Sequence, residues 1–132
     1  MGQPAAKHGD LVIGIDTHIV MAPSGASLTP TPAPHPFTGV IDGNLSGDVN
    51  IMGRPAATAG SVAENSPAHI PTPPGVSFQK PPHNKATIRS GSPTVRINGR
   101  MAARNGDPAE TCNDPADLST GRVIAAGTVF IG

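Results

Sequence analysis

The chain has few aromatic side chains, a single cysteine and no surplus of charge. Its 132 residues include no Trp, no Tyr, three Phe and one Cys. Aromatic residues usually dominate the buried area of a core, so this core must be aliphatic and small. One cysteine cannot form an internal disulfide. Nine basic and nine acidic side chains give a net charge of zero. That balance gives no support to nucleic acid or an anionic membrane as a partner.

The sequence also lacks a targeting signal and a membrane-spanning run. No charged segment followed by an apolar one stands at the N-terminus. The longest apolar runs are far too short to cross a bilayer. We therefore expect a protein that is made in the cytoplasm without a signal peptide and leaves the cell only as part of something else. The length predicts one domain over residues 1–132, with no fused effector domain.

Glycine and proline are abundant, at 16 residues each. This content approaches the level at which disorder is the default interpretation. Low charge and a repeated Val-x-Ile alternation argue against disorder, because the alternation buries one face of a strand. A thin core with many glycines usually needs a further constraint. With no disulfide available, a bound metal is the remaining candidate.

One short unit occurs twice in full and once in part. Residues 49–57 read VNIMGRPAA, residues 95–103 read VRINGRMAA, and residues 129–132 read VFIG. Each copy follows an apolar residue and a glycine turn, which predicts a β-hairpin. The predicted hairpins cover residues 39–54, 86–100 and 122–131. Three similar units in one small chain predict an all-β body with approximate threefold symmetry, suited to a partner that is itself threefold.

The remaining segments are predicted as one strand and several loops. Residues 11–21 alternate as a strand, with Asp16 and His18 on the face opposite the isoleucines. Residues 22–36 and 62–85 are predicted as long Pro-rich loops. Residues 101–122 are predicted as mostly loop, with a short helical turn near 108–110. No segment carries a helical apolar stripe longer than about two turns.

Histidines lie among the prolines of the predicted loops. His35 stands between two prolines, while His69 and His83 each lie within two residues of one. Proline reduces the entropy lost when a loop is ordered, which favours a metal site over a flexible linker or a ligand of a Pro-binding domain. Taking one candidate from each converging segment gives His18, His35, His69 and Cys112. Residue His83 remains an alternative to one of these histidines, and a Cys-His hydrolase remains a weaker possibility because no nucleophile motif is present.

Three segments resemble the PAAR family of spike-tip proteins. Residues 4–10 (PAAKHGD) resemble its Pro-Ala-Ala-Arg element, residues 91–107 resemble its central repeat, and residues 127–132 resemble its closing strand. The resemblance covers essentially the whole chain. It implies a small β-rich cone that caps the trimeric VgrG-like spike of a contractile injection system. It also implies a zinc ion near the apex, held by three histidines and one cysteine.

Carried over residue by residue, the resemblance implies a metal site at His18, His69 and Cys112, with His35 as the third histidine. We expect a non-enzymatic tip, one chain per spike trimer, in a type VI or tailocin-like particle, that contacts the target membrane transiently. Zinc is the expected metal, with iron as an alternative. A stand-alone metal-binding module and a Cys-dependent hydrolase are the alternative functions.

Overall fold

The computed structural model describes residues 2–132, and its regular structure is entirely β, which confirms the predicted fold class. Within this range there is no helix, and therefore none that is long and apolar enough to span a membrane. Thirteen strands are formed: β1 (Gln3–Pro4), β2 (Leu11–Ser24), β3 (Ser27–Gly43), β4 (Asn50–Ile51), β5 (Arg54–Pro55), β6 (Val62–Asn65), β7 (Ser77–Phe78), β8 (Lys85–Ile88), β9 (Arg96–Ile97), β10 (Arg100–Met101), β11 (Pro108–Thr111), β12 (Leu118–Ile124) and β13 (Phe130–Ile131).

Six of these strands close into an antiparallel ring. The order is β12, β11, β8, β6, β3 and β2, and β2 pairs back with β12 through Leu11–Gly14 and Gly121–Ile124. Strand β7 adds to the outer part of β2. Closing the sheet leaves the ring without a free edge. Aliphatic side chains and one phenylalanine fill its interior, among them Val12, Phe37, Ile41, Ile88 and Val123.

Three two-stranded pairs form a second cluster, which we call the base: β1 with β13, β4 with β5, and β9 with β10. Their buried side chains pack together, namely Ala5, Ile51, Ala56, Ile97, Ala102 and Ile131. A closed set of backbone hydrogen bonds joins three alanines where the pairs meet. Ala6 N–H donates to Ala103 O at 2.9 Å, Ala103 N–H to Ala57 O at 3.1 Å, and Ala57 N–H to Ala6 O at 3.0 Å. The same bond therefore occurs once for each pair, at an alanine two residues after β1, β5 and β10.

The three hairpins predicted over 39–54, 86–100 and 122–131 are not confirmed in that form. Ile41 pairs with Ala63 in the ring, whereas Asn50 pairs with Pro55 in the base. Each glycine turn thus connects the ring to the base instead of closing a hairpin. The long β2–β3 pair extends beyond its counterparts in the other repeats. Threefold symmetry of the whole body and its conical shape remain predictions.

The segment predicted as a loop over residues 22–36 forms strand instead. Strands β2 and β3 pair without interruption from Leu11 and Val40 to the turn between Ser24 and Ser27. The backbone N–H and C=O of Thr38 bond to Asn65 and Ser66, away from β2. Backbone groups two, four, six and eight residues before Thr38 point the same way, away from β2. These positions are occupied by prolines, which therefore remove no hydrogen bond to β2: Pro36, Pro34, Pro32 and Pro30.

The strand over residues 11–21 alternates as predicted. Its buried face carries Asp16 and His18, which contact the histidine cluster described below, while Ile13 and Ile15 are exposed. The predicted helical turn near residues 108–110 is wrong, since these residues form β11 between β8 and β12. The predicted loop over 62–85 contains β6 and β7 and is otherwise irregular.

Candidate metal centre

Three predicted ligands and one unpredicted carboxylate meet above the aliphatic core. Asp16 and His18 lie two residues apart on β2 and therefore share its buried face. Residue His69 follows β6, and Cys112 follows β11 directly. One ligand atom from each of these four residues lies within 4.8 Å of the other three. We call this set the candidate centre. Its members come from three separate parts of the chain and are brought together by the ring.

The three histidine rings stand at nearly equal separations. The ring centre of His18 lies 5.4 Å from that of His35 and 5.1 Å from that of His69, and His35 and His69 are 5.4 Å apart. Residue His35 joins this triangle because it pairs in register with Asp16 across β2 and β3. Ring centres of two imidazoles on one tetrahedral zinc ion are expected about 5 Å apart. The triangle is compatible with a shared ion.

Among residues 2–132, no group hydrogen-bonds to either ring nitrogen of His18, although its side chain is wholly buried. The closest charged atom is Asp114 Oδ2, 3.5 Å from Nδ1. Burial lowers the pKa of His18, against the opposing effect of Asp114. The buried imidazole is therefore neutral and carries a free lone pair. Unsatisfied buried polar groups are rare and costly, so this ring needs a partner that the protein itself does not supply.

Asp16 is the hydrogen-bond acceptor at the middle of the candidate centre. Its Oδ2 lies 2.8 Å from His69 Nε2 and accepts from Cys112 Sγ at 3.3 Å. Its Oδ1 accepts a hydrogen bond from Thr111 Oγ1. The carboxylate is fully buried. Sequence reasoning placed Asp16 on the same strand face as His18 but gave it no role, and the i, i+2 spacing of the two residues was the available signal.

Cys112 is a buried thiol. Burial, followed by the charge of Asp16, raises its pKa to about 12. A cysteine nucleophile needs the opposite environment, one that favours the thiolate. A metal cation does favour the thiolate, and it would also give the lone pairs of His18 a partner. Nitrogen, sulfur and carboxylate donors around one buried point suit a divalent transition metal, so the residues fit the ion that the resemblance implies.

The two other candidate histidines have different surroundings. His35 is buried, and both of its nitrogens contact backbone: Nδ1 lies 2.9 Å from Ala33 O, and Nε2 accepts from Thr72 N–H at 3.2 Å. His83 is about half exposed and pairs with Asp117 at 2.9 Å, outside the candidate centre. Of the predicted set, the structure thus brings His18, His69 and Cys112 together and places His35 beside them. Which residues bind the ion remains a prediction.

A comparison with protein families gives one match. The family model described as PAAR motif matches residues 31–115, more than half of the chain. No curated protein and no solved structure matches. The matched range contains His35, His69 and Cys112, whereas Asp16 and His18 precede it. The chain belongs to the PAAR motif family.

Proposed function

We propose that this PAAR-motif chain is a metal-stabilised, non-enzymatic tip that caps the trimeric VgrG-like spike of a contractile injection apparatus. One chain caps one trimer, and the tip aids puncture of a target membrane that it contacts only transiently. The chain is made in the cytoplasm and leaves the cell at the end of the particle. Family membership supports this role. The closed alanine triangle of the base is the observation that carries it.

The base supports the proposal because it offers three similar strand pairs to one partner. Each pair is a sheet of only two strands within the described residues, and the outer edges of such a pair are natural sites for strand addition. Exposed apolar side chains surround them: Val49, Met52, Val129 and Phe130. A homotrimer presents three identical strand ends, so each of its chains meets one pair.

The metal supports the mechanical role because the candidate centre consists of a carboxylate, two imidazoles and a thiol. A tip must stay rigid under the force of sheath contraction. A buried ion links β2, the segment after β6 and the end of β11, which no disulfide joins. Zinc is the proposed ion, since a mixed nitrogen and sulfur donor set in a closed site is typical of structural zinc. His18, His69 and Cys112 bind it together with one neighbour, either His35 or Asp16.

Native mass measurement of the chain mixed with its cognate trimeric spike protein tests the proposal. We expect one copy of this chain per three spike chains. Phe130→Asp should abolish the complex, because Phe130 is 60% exposed on the base. Ile15→Asp is the matched control, since Ile15 is 56% exposed but lies on β2, away from the base. Equal loss from both variants, or no complex with the cognate spike, would contradict the capping role.

The two alternative functions predict other results, in metal analysis and native mass measurement for one and in thiol alkylation for the other. A stand-alone metal-binding module would contain metal and form no complex with any trimer. A Cys-dependent hydrolase would need a Cys112 thiol that reacts with alkylating reagents in the folded protein. The burial of Cys112 makes us expect slow alkylation, and rapid labelling of the folded chain would favour the hydrolase.

A further inference from the structure

We infer that the outer part of the β2–β3 hairpin, residues 22–30, enters the interfacial layer of an uncharged lipid bilayer without any applied force. We call residues 22–30 the ribbon. This inference rests on the membrane contact of the proposed function, and it names the segment and the kind of lipid surface involved. Four properties of the ribbon carry it: its exposure, its lack of charge, its shortage of outward N–H donors, and its length.

The ribbon projects from the body as a pair of strands without further cover. Strand β7 pairs with β2 only at Val20 and Met21. Farther out, the strand pairing among the described residues joins only β2 and β3, and it runs to Ser24 and Ser27. Every residue from 23 to 32 is exposed, on both faces of the pair. A two-stranded pair of this kind has no core of its own and offers both faces to the surrounding medium.

The ribbon and the segments that lead to it carry no charged side chain. The whole chain has nine basic and nine acidic residues, yet none of them falls in residues 17–41. The two histidines of this stretch, His18 and His35, are buried in the body. A charged side chain is costly to bring into a bilayer, so its absence here favours contact with lipid. The absence of Lys and Arg also means that anionic headgroups supply no attraction.

Prolines remove most of the outward N–H donors from the edges of the hairpin. Five positions of β3 between residues 28 and 36 face away from β2, and four of them are proline, which leaves an outward N–H only at Leu28. Pro23 of β2 pairs with Leu28 and therefore also faces outward. An unpaired N–H is costly in lipid. Exposed edges are often protected by charged side chains, especially lysine, whereas this edge is protected by proline without any charge.

The side chains of the hairpin suit the boundary between water and lipid. Leu28 is 48% exposed, and burying an aliphatic side chain of this kind is favourable. The Ser27 hydroxyl donates to Ser24 O at 3.2 Å, and the Thr31 hydroxyl donates to Thr29 O at 3.3 Å. Hydroxyls that already have a partner inside the hairpin lose less when they leave water. The ribbon therefore offers one aliphatic anchor at a low polar cost.

The length of the ribbon sets the depth that it reaches. Three residues of each strand and a two-residue turn lie beyond Met21, and at about 3.4 Å per residue they extend roughly 10 Å. Interfacial segments lie at depths of about 5–10 Å, whereas the hydrocarbon core is about 30 Å thick. The ribbon therefore reaches the boundary of one leaflet, where its unpaired carbonyls still meet water.

Single-tryptophan variants of the full chain test the inference. The chain contains no Trp, so Leu28→Trp reports on the ribbon alone. Ile70→Trp is the matched control, since Ile70 is 76% exposed and lies outside the hairpin. Each variant is mixed with vesicles of phosphatidylcholine brominated along its acyl chains, which quench a tryptophan that contacts them. We expect Leu28→Trp to lose most of its emission and to shift to shorter wavelength, while Ile70→Trp changes little.

A charge added to the turn gives a second test on the Leu28→Trp chain. Ala26→Asp places a carboxylate at the exposed end of the ribbon and should prevent the quenching, because the charge resists transfer into the bilayer. Ala68→Asp adds the same charge at an exposed position outside the hairpin and should leave the quenching unchanged. All four substituted positions are exposed, so the body keeps its packing.

Equal quenching of Leu28→Trp and Ile70→Trp, or quenching that survives Ala26→Asp, would overturn the inference. A spectral shift that grows with protein concentration and not with lipid would also overturn it and would assign the ribbon to a second copy of this chain. Absence of quenching with an intact spike complex would reject insertion of the ribbon and leave the capping role standing. Quenching without a spike complex would defeat the capping role and leave the lipid contact.

Discussion

The base and the candidate centre are both buried, but different interactions hold them together. The base consists of alanine and isoleucine side chains and of backbone hydrogen bonds that recur at each of its three strand pairs. The candidate centre consists of polar side chains and a thiol, and His18 among them has no hydrogen-bond partner in the part of the chain that the structure describes. The base is therefore complete as it stands, whereas the candidate centre depends on an added cation. The base and the candidate centre should therefore respond differently to metal removal.

Removing the metal should have the largest effect on the folded chain. Ligand binding to the native state adds about 4 kcal/mol when free ligand exceeds its dissociation constant by about 1,000-fold. For a domain of this size that corresponds to a fall in Tm of roughly 12–20 °C in excess chelator. Calorimetry with and without chelator measures the fall. An unchanged Tm in a sample shown to have contained stoichiometric metal would contradict a stabilising role for the ion.

Replacing a histidine of the candidate centre should have an effect of similar size. His69→Ala removes a ligand and leaves the buried Asp16 without its ion-pair partner, a kind of change that costs about 3–5 kcal/mol. His83→Ala is the matched control, because the exposed pair of His83 with Asp117 contributes at most about 1 kcal/mol. Urea unfolding of both variants gives the comparison. Equal losses would mean that His83 belongs to the metal site.

The repeats in the sequence identify segments that build the base, although the hairpins predicted from them are not confirmed. Base contacts are made by segments that repeat, so the copies at residues 49–57 and 95–103 point to them. The candidate centre joins β2 to segments about 50 and 95 residues further along, and no local pattern encodes that meeting. His18 and Cys112 were predicted by taking one candidate from each converging segment, in agreement with the family resemblance, while Asp16 was given no role because a carboxylate opposite isoleucines suggests a solvent-facing strand.

The Pro-rich segment shows a second limit of sequence reasoning. A proline at every second position over residues 29–36 suggests an extended loop, yet these residues form the edge of a long hairpin. Period-two spacing puts every proline nitrogen on the side away from β2. Composition alone cannot distinguish this arrangement from a linker, because the distinction depends on which side the partner strand occupies.

A larger side chain in the base should lower the free energy of unfolding by less than a change in the metal site does, and it should leave the metal bound. The side chain of Ala56 is fully buried among the side chains of the base. Ala56→Val adds volume to a packed site, which typically costs about 1–3 kcal/mol. Ala68→Val, at an exposed position before His69, should be close to neutral. Metal analysis and urea unfolding of both variants test whether the base and the candidate centre are independent, and loss of metal from Ala56→Val would show that they are coupled.

Mild acid should weaken the candidate centre while leaving the base intact. Burial lowers the pKa of His18, although the charges of Asp114 and Asp16 oppose that effect. Below the ordinary value of 6.5, the unfolded chain takes up a proton that the folded chain resists. The free energy of unfolding therefore has its full value above that pH and falls as the pH is lowered. In the metal-bound chain, protons also compete with the metal for the ligands. Urea midpoints of the metal-free chain at several pH values measure the first effect, and a flat profile would contradict it.

The smallest effect on stability should come from the proline-lined edge of β3, which contrasts with the open edges of the base. Replacing Pro32 and Pro34 with Thr gives the outward side two new N–H groups and takes no hydrogen bond from β2. Both positions are exposed, so unfolding free energy should change by less than about 0.5 kcal/mol. The newly available N–H groups can pair with another chain, so self-association should rise with concentration. Sedimentation of this variant measures that rise, with Thr29→Ser and Thr31→Ser together as the control on the same strand. A large loss of stability without self-association would show that the prolines stiffen the hairpin and do not protect its edge.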